Sequence, residues 1–429
     1  MGNWFCEALL LYYFEGKECL VNMYKFLNEV DASRHDAFVK NNPLCNLLQS
    51  SGWGEVKENW NRTIIGIEED GELVASALVL IKRLPFYFCV MYIPRGPVLN
   101  YENEDLVLFF MKELRNWASS QHALFVKMDP GVHCRDYLLE EKNNVPLNSK
   151  IIKIMNNMSL AGAIHQGFVK NLNDSIQPRF QANVYLKKGF QDLLTKSAKK
   201  ALSITKKNHL LVERCGKEGV NDFEHIMHCT ERRKGISLRN AQYFDRLMHV
   251  YGNDAVIILI KLPITLLHEE VCVKLAETEK ALADCNQNSK KKIFILKEQY
   301  VSYVKQKKDL EEYQQNYGEE VVIAGALCIR FGTSSELLYA GMDERFKRYM
   351  PSYLAFTECM KWSFEKKCLC CNLGGIEGTL KGGLIQFKAN FSPVVNELIG
   401  EFDLPISFLY YVVNFLYKKI YKKKQIDSR

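Results

Sequence analysis

A short apolar pattern occurs twice in this 429-residue chain, and the recurrence constrains the fold more than any other feature. Val74-Ala-Ser-Ala-Leu-Val-Leu80 returns as Ile323-Ala-Gly-Ala-Leu-Cys-Ile329. Trp117 with Ala123-Leu-Phe-Val-Lys-Met-Asp129 returns as Trp362 with Cys368-Leu-Cys-Cys-Asn-Leu-Gly374. The matches keep their order and nearly the same offset, which chance rarely supplies. Both copies read alike: an apolar strand, a second strand (Val90–Ile93; Leu337–Ala340), an amphipathic helix ending in Trp, and a buried strand. That order predicts two related α/β modules with mixed sheets. The composition, 47% hydrophobic and 25% charged, is that of a folded chain, and its length calls for two or three domains.

Between the copies the pattern changes. From Thr265 to Tyr317 there is no proline or glycine, and charge is dense. Val271, Leu275 and Leu282, then Leu296, Tyr300, Tyr303, Leu310, Tyr313 and Tyr317, keep helical spacing around the polar break Asn286-Gln-Asn-Ser289. This predicts an antiparallel two-helix coiled-coil arm, roughly 30–40 Å long at about 1.5 Å per residue. A dimerisation or spacer coil and an arm reaching a long polyanion fit equally well. The resulting division is 1–22 as an N-terminal extension, 23–167 with 400–429 as a first module carrying a basic tail, 168–263 with 318–399 as a second module, and 264–317 as the arm.

The net charge is a mild +7, so it points to a partner only where it concentrates. One concentration is a predicted helix over 193–208, whose Lys196, Lys199, Lys200, Lys206 and Lys207 meet no acidic residue before Glu213. Phosphate contact is favoured there over a solvated face. The other is the C-terminus, where the apolar, aromatic run Pro405–Tyr417 precedes Lys418, Lys419, Lys422, Lys423 and Lys424. It suits docking at an anionic bilayer surface, or a last core helix with a basic tail. No run reaches the roughly 18 apolar residues of a membrane span. Trp4–Phe14 lacks the basic lead of a secretory signal. The expected location is cytoplasmic, peripheral at the inner face of the cell membrane. Fourteen cysteines lie in apolar runs, including the cluster Cys368, Cys370 and Cys371, and read as buried free thiols, with no metal or cofactor.

The modules resemble the GNAT acyltransferase fold, so the expectation is tandem GNAT-like domains plus the arm. The Q/R-x-x-G-x-G/A loop that would offer N–H groups to coenzyme A is missing, which argues against an acyl-CoA donor. Six segments then resemble, in order and spacing, the FemABX peptidyltransferases. They are Leu48-Gln-Ser-Ser-Gly-Trp-Gly-Glu-Val-Lys57, Ile93-Pro-Arg-Gly-Pro97, Lys127-Met-Asp-Pro130, Ser175-Ile-Gln-Pro-Arg-Phe180, Arg233-Lys-Gly-Ile-Ser-Leu-Arg239 and Leu398-Ile-Gly-Glu-Phe-Asp403. The resemblance runs from about Tyr24 to the end and looks nearest to the arm-bearing MurM branch. It implies an aminoacyl-tRNA donor, with the arm against tRNA. It also implies a peptidoglycan precursor as acceptor, lipid II or UDP-MurNAc-pentapeptide, whose stem-peptide lysine receives serine or alanine, or the glycine of the wider family.

By that resemblance Lys57 and Arg239 match positions that bind acceptor phosphates, with Tyr243 a turn further along the helix of Arg239. Asp129 matches an acidic residue at a strand end, and Tyr339 and Phe387-Lys388 match residues lining the transfer site. Aminolysis of an ester needs a free amine and a stabilised oxyanion. Lys388 is assigned the oxyanion, Phe387 the pocket wall, and Asp129 the amine, as its base or its orienting group; the substrate is the other source of a base. Without the family, Lys388 reads as a surface lysine in a loop and Asp129 as a turn former before Pro130-Gly131. Arg239 and Tyr243 then read as a helix surface pair, and Gly374-Gly375 with Gly382-Gly383 as flanks of a flexible loop. Two other functions stay open. One is a non-catalytic tRNA- or membrane-binding scaffold, which intact Lys57, Arg239 and Phe387-Lys388 argue against; the other is an acyl-CoA-dependent GNAT acetyltransferase.

Overall fold

A computed structural model describes residues 23–415, apart from 142–143, 236–237, 287 and 413, and without the side chains at 233–234. The expected extension at 1–22 and the basic run 418–424 lie outside the described residues. Two compact units emerge. The first comprises the chain through Phe190, Arg330–Glu336 and everything from Ser363 on; the second comprises Gln191–Ile329 and Leu337–Trp362. Packing thus groups 168–190 and 363–399 with the first unit, whereas the sequence division followed the repeated modules.

The first unit holds β1 (Tyr24–Leu27), β2 (Asn61–Glu69), β3 (Glu72–Arg83), β4 (Cys89–Ile93), β5 (Val98–Leu99), β6 (Ala123–Met128), β7 (His133–Leu138), β8 (Ile164–His165) and β9 (Phe180–Tyr185). The second holds β10 (Leu211–Cys215), β11 (Ala255–Pro263) and most of β12 (Glu320–Phe331). After β13 (Ser334–Met342), β14 (Cys370–Ile376), β15 (Val394–Leu398) and β16 (Phe402–Pro405) again belong to the first.

In the first unit one sheet has the order β1–β2–β3–β4–β6–β16–β8, with β5 on β3. β3 is buried without a break from Ala75 to Ile81, as its run of Val, Leu, Ile and Ala requires for a strand covered on both faces. β4 and β6 pair in parallel, and the helix Glu104–Ser120 is the crossover between them. Asn103 caps that helix by accepting from Leu106 N–H. Its buried stripe, Leu106, Val107, Phe110, Met111, Leu114 and Ala118, belongs to a core that includes Ile65, Val79, Ile93 and Phe402. The second copy repeats this design over β12, β13, the helix Pro351–Glu365 and β14. Its start of β13 pairs in parallel with β14, Ser334 opposite Cys370 and Glu336 opposite Asn372. The duplication read from sequence is therefore present as structure. Each copy is completed by a strand from outside the repeat: β16 beside β6, and β9 beside β14.

In the second unit two helices, Ile264–Ala283 and Lys290–Tyr317, form the predicted arm, about 30 and about 42 Å long. Gln314 Nε2 donates to Thr265 Oγ1 at 3.3 Å, so the start of the first helix and the end of the second lie side by side at the base of the arm, and the helices run antiparallel. Among the described residues no helix is long and apolar enough to cross a membrane.

Candidate active site

β6 stops at Met128, and the next residue, Asp129, is 2% exposed. The Tyr92 hydroxyl and the Arg95 backbone N–H each donate to its Oδ1 at 2.9 Å. Arg95 Nη1 stands 3.2 Å from Oδ2. That contact is an ion pair without hydrogen-bond alignment, for Oδ2 accepts no hydrogen bond among the described residues. Burial lifts the Asp129 pKa to about 6, although Arg95 and both hydrogen bonds pull it down. A carboxylate so poised can exchange a proton near neutral pH. Arg95 is itself buried and sits in the left-handed region, φ +53°, a conformation that an arginine keeps only when its surroundings hold it. Glu336, at the start of β13, is also buried; burial pushes its carboxyl up and the charge of Arg95 opposes this.

From Arg95 a chain of contacts reaches Lys388. Arg95 Nη2 donates to Pro178 O at 2.7 Å. The Pro178 ring packs so tightly on Gly375 that a Cβ there would clash. Gly375 O accepts from Lys388 Nζ at 2.8 Å. Lys388 lies on the helix Gly383–Ala389 and is 5% exposed. The bland expectations therefore fail here: Lys388 is no surface lysine in a loop, Asp129 no mere turn former, and Gly375 no flexible flank. Phe387, half-buried, meets Phe391 edge-on at 5.4 Å. Lys57 follows the short helix Ser51–Val56, its Nζ 4.3 Å from the centre of the buried Trp53 ring. Gln49, ahead of that helix, donates to Pro94 O at 2.5 Å, next to Arg95. Arg179 pairs with Glu397 at 3.0 Å, and Lys127 with Asp403 at 2.6 Å and Glu401 at 3.1 Å. Glu401 also accepts from Ile176 N–H. Five of the six motif segments thus support one another in the first unit.

The sixth contributes to a separate cluster in the second unit. Asn240 caps the helix Ala241–Tyr251, so Arg239 precedes that helix instead of sharing it with Tyr243. Its guanidinium nevertheless stacks 5.0 Å from the Tyr243 ring. Tyr243 is buried and meets Tyr339 edge-on at 6.1 Å. Burial is the main cause that pushes its hydroxyl pKa up, and a hydrogen bond with Tyr339 adds to it. Lys196, Lys199, Lys200, Lys206 and Lys207 are exposed on the helix Lys196–Lys207.

Residues 30–418 match the model of the FemAB family. The chain belongs to that family. The lipid II:glycine glycyltransferase of Staphylococcus aureus strain MRSA252 is 27% identical over 421 residues, 92% of this chain and 96% of the relative. The protein of the same name from strain NCTC 8325 gives the same figures. A crystal structure of FemX superposes with a TM-score of 0.71 at 25% identity, covering 91% of this chain and 99% of that one. This FemAB chain thus shares its tandem acyltransferase frame with FemX over nearly its whole length.

Sequence reasoning passes over Arg95 and Glu336. Each leaves a signal: an arginine held between Pro94 and Gly96-Pro97 after an apolar strand, and a lone acid within β13. The cysteines match the expected burial only in part. Of the twelve described cysteines seven are buried, Cys89 and Cys134 among them, and five, Cys370 included, are partly exposed; burial pushes Cys134 up to about 11.

Proposed function

We propose that this chain transfers a small amino acid from aminoacyl-tRNA to the stem-peptide lysine of lipid II, building the branch of a peptidoglycan cross-bridge. The observation that carries this reading is the buried Asp129, poised near pH 6 and linked through Arg95, Pro178 and Gly375 to Lys388. Membership of a family whose named relatives are lipid II:glycine glycyltransferases supports it. The lysine ε-amine attacks the ester carbonyl, a tetrahedral oxyanion forms, and the ribose oxygen of tRNA leaves with a proton. Asp129 Oδ2 accepts the proton of the attacking amine. Lys388 Nζ, released from Gly375 O, places its charge on the oxyanion. Phe387 walls the pocket, Lys57 and Arg239 are each assigned acceptor phosphates, and Tyr243 and Tyr339 are assigned to substrate binding. The buried, protonated thiols take no part, and no acyl-enzyme is needed.

The amino acid is glycine in the named relatives, and serine or alanine by the motifs nearest to the MurM branch. Incubating the protein with a pool of charged tRNAs and lipid II, then weighing the product, tests the reading. A mass gain of one small residue that ribonuclease abolishes is expected. A gain with acyl-CoA alone would make the chain an ordinary acetyltransferase, and no gain would make it a scaffold.

A further inference from the structure

β3 meets two strands along one side, and a side chain fills the gap between them. It pairs with β4 from Leu80 opposite Tyr92 to Arg83 opposite Cys89, and with β5 at Ala75 and Ser76. Among the described residues no strand pairs with 77–79 on that side. The segment between β4 and β5 is Pro94-Arg95-Gly96-Pro97, whose prolines have no N–H to donate to a sheet. Buried backbone groups need partners even where a strand is missing. Gln49, fully buried, supplies them. Its Oε1 accepts from Leu78 N–H at 3.0 Å, and its Nε2 lies 3.4 Å from Leu78 O and donates to Pro94 O at 2.5 Å. Reversing the amide would set Nε2 against an N–H and Oε1 against two carbonyls, so the network admits one orientation.

Gln49 is itself held from several sides. It ends the helical turn Leu47–Gln49, whose cap Asn46 accepts from Leu48 N–H. The ring of the fully buried His35 reaches Gln49 O through Nε2 at 2.5 Å and Ser76 Oγ of β3 through Nδ1 at 2.6 Å. A carbonyl can only accept, so Nε2 carries the proton, and burial pulls the ring's pKa down, which keeps it neutral. The Glu336 carboxyl accepts from the Asn46 side chain and from Leu47 N–H. Gly96 approaches so closely that a Cβ there would stand 2.6 Å from Gln49 Cδ.

The consequence falls on one peptide unit. Pro94 O and Arg95 N–H share a plane and point opposite ways. Gln49 grips the oxygen, and Asp129 Oδ1 accepts from the N–H at 2.9 Å. The hydrogen-bond chain from Leu78 through Gln49 and this peptide to Asp129 fixes the turn in which Arg95 sits at φ +53°, and each bond polarises the next. We propose that Gln49 is a positioning residue for the transfer step: it locks the Pro94–Arg95 peptide so that the N–H holds Asp129 with Oδ2 turned to the attacking amine. This rests on the reading of Asp129 as the proton acceptor. Gln49, with no exposed surface, acts only through that peptide.

Gln49→Met keeps the length of the side chain and removes the donor. The test compares transfer by the full chain between pH 5 and pH 8 for wild type, Gln49→Met and Asp129→Asn, each below its thermal midpoint. Gln49→Met should lower kcat at pH 7 about tenfold or more, with KM for lipid II and for charged tRNA within about twofold. It should also move the acid limb of the kcat profile to higher pH, because the donor that favours ionised Asp129 is loosened. Tyr92, Arg95, Tyr101 and Glu401 also face Asp129, and the substitution leaves all four in place. A role confined to stability would lower the thermal midpoint and leave kcat and the acid limb unmoved, and that result would overturn the proposal. An acid limb that persists in Asp129→Asn would overturn the reading of Asp129, and the positioning role with it. Should Gln49→Met fold poorly, Gly96→Ala displaces the same amide, with the same drop and shift expected; wild-type kinetics there would overturn the proposal as well.

Discussion

The two copies of the repeated module end the same strand with different chemistry. β6 delivers Asp129, an acid buried against Arg95. β14 delivers Asn372, Gly374 and Gly375, where the Asn372 side chain satisfies Gly374 N–H at 2.8 Å and Gly375 O receives Lys388. One end is built around a carboxylate, the other around a backbone carbonyl and a cation. The difference shows how far a duplicated frame can diverge. Apolar positions tolerate exchange as long as volume and pattern are kept, so β3 and β12 still read alike. A buried charge needs its own partner, and losing that partner costs about 3–5 kcal/mol, so an acid and its arginine persist or vanish together. One copy kept such a pair, which suits a single active site per chain.

Removing the acid tests the contrast most severely. Asp129→Asn removes the proposed proton acceptor, and we expect transfer to fall about a thousandfold while urea unfolding at pH 7 reports no loss of stability, since a neutral amide avoids the burial cost that raises the pKa of the acid. Activity within a few-fold of wild type would leave the pair as scaffolding alone. The other strand end is probed by Lys388→Met, expected to lower transfer at least about 100-fold, at a stability cost of about 1–3 kcal/mol for the abandoned Gly375 carbonyl; wild-type turnover would remove Lys388 from the chemistry. Gly375→Ala forces Pro178 away from the link between the two ends. A destabilisation of about 1–3 kcal/mol with a drop in turnover is expected, and calorimetry with the transfer assay would detect both.

Outside the repeat, the neck between Thr265 and Gln314 allows the arm to be excised and closed with a short glycine linker. Titration with charged tRNA should then show affinity reduced about tenfold, as expected when several phosphate contacts are lost. Unchanged affinity would return the arm to a spacer. The smallest effect is in pH. With its pKa raised to about 6, Asp129 loses its proton as pH rises, so transfer should slow about fourfold from pH 7 to pH 5.5. Stability moves the opposite way. The contribution of a raised carboxyl is fully present below about pH 4 and is lost as pH climbs through about 6, amounting to about 3 kcal/mol. Asp129→Asn should abolish both trends.

Much of this architecture could be read from residues because it is local and apolar. The strands of both copies and their crossover helices follow from uninterrupted Val, Ile, Leu and Ala runs and from helical spacing. The arm likewise follows, with Leu296, Tyr300, Tyr303, Leu310, Tyr313 and Tyr317 all at least half-buried. Arg95 escaped because its importance comes from partners brought by two distant segments, at Asp129 and Pro178, and pairing over such separations leaves no periodic trace. Glu336 escaped for the same reason, its partners being Arg95 and Asn46. Lys388 could be singled out by resemblance, but its burial on a short helix could not, since Gly382-Gly383 reads as loop until Gly382 is seen at φ +102° turning the chain into that helix.

The place of β16 carries a consequence for biosynthesis. This strand sits between β6 and β8 and pairs Phe402 with both Met128 and His165. The first sheet therefore stays open beside β6 until residues 402–405 have been made. During that wait β6 presents unpaired backbone groups that invite mispairing or a chaperone. A chain cut before Phe402 lacks the strand that joins β6 to β8 and cannot close its first sheet.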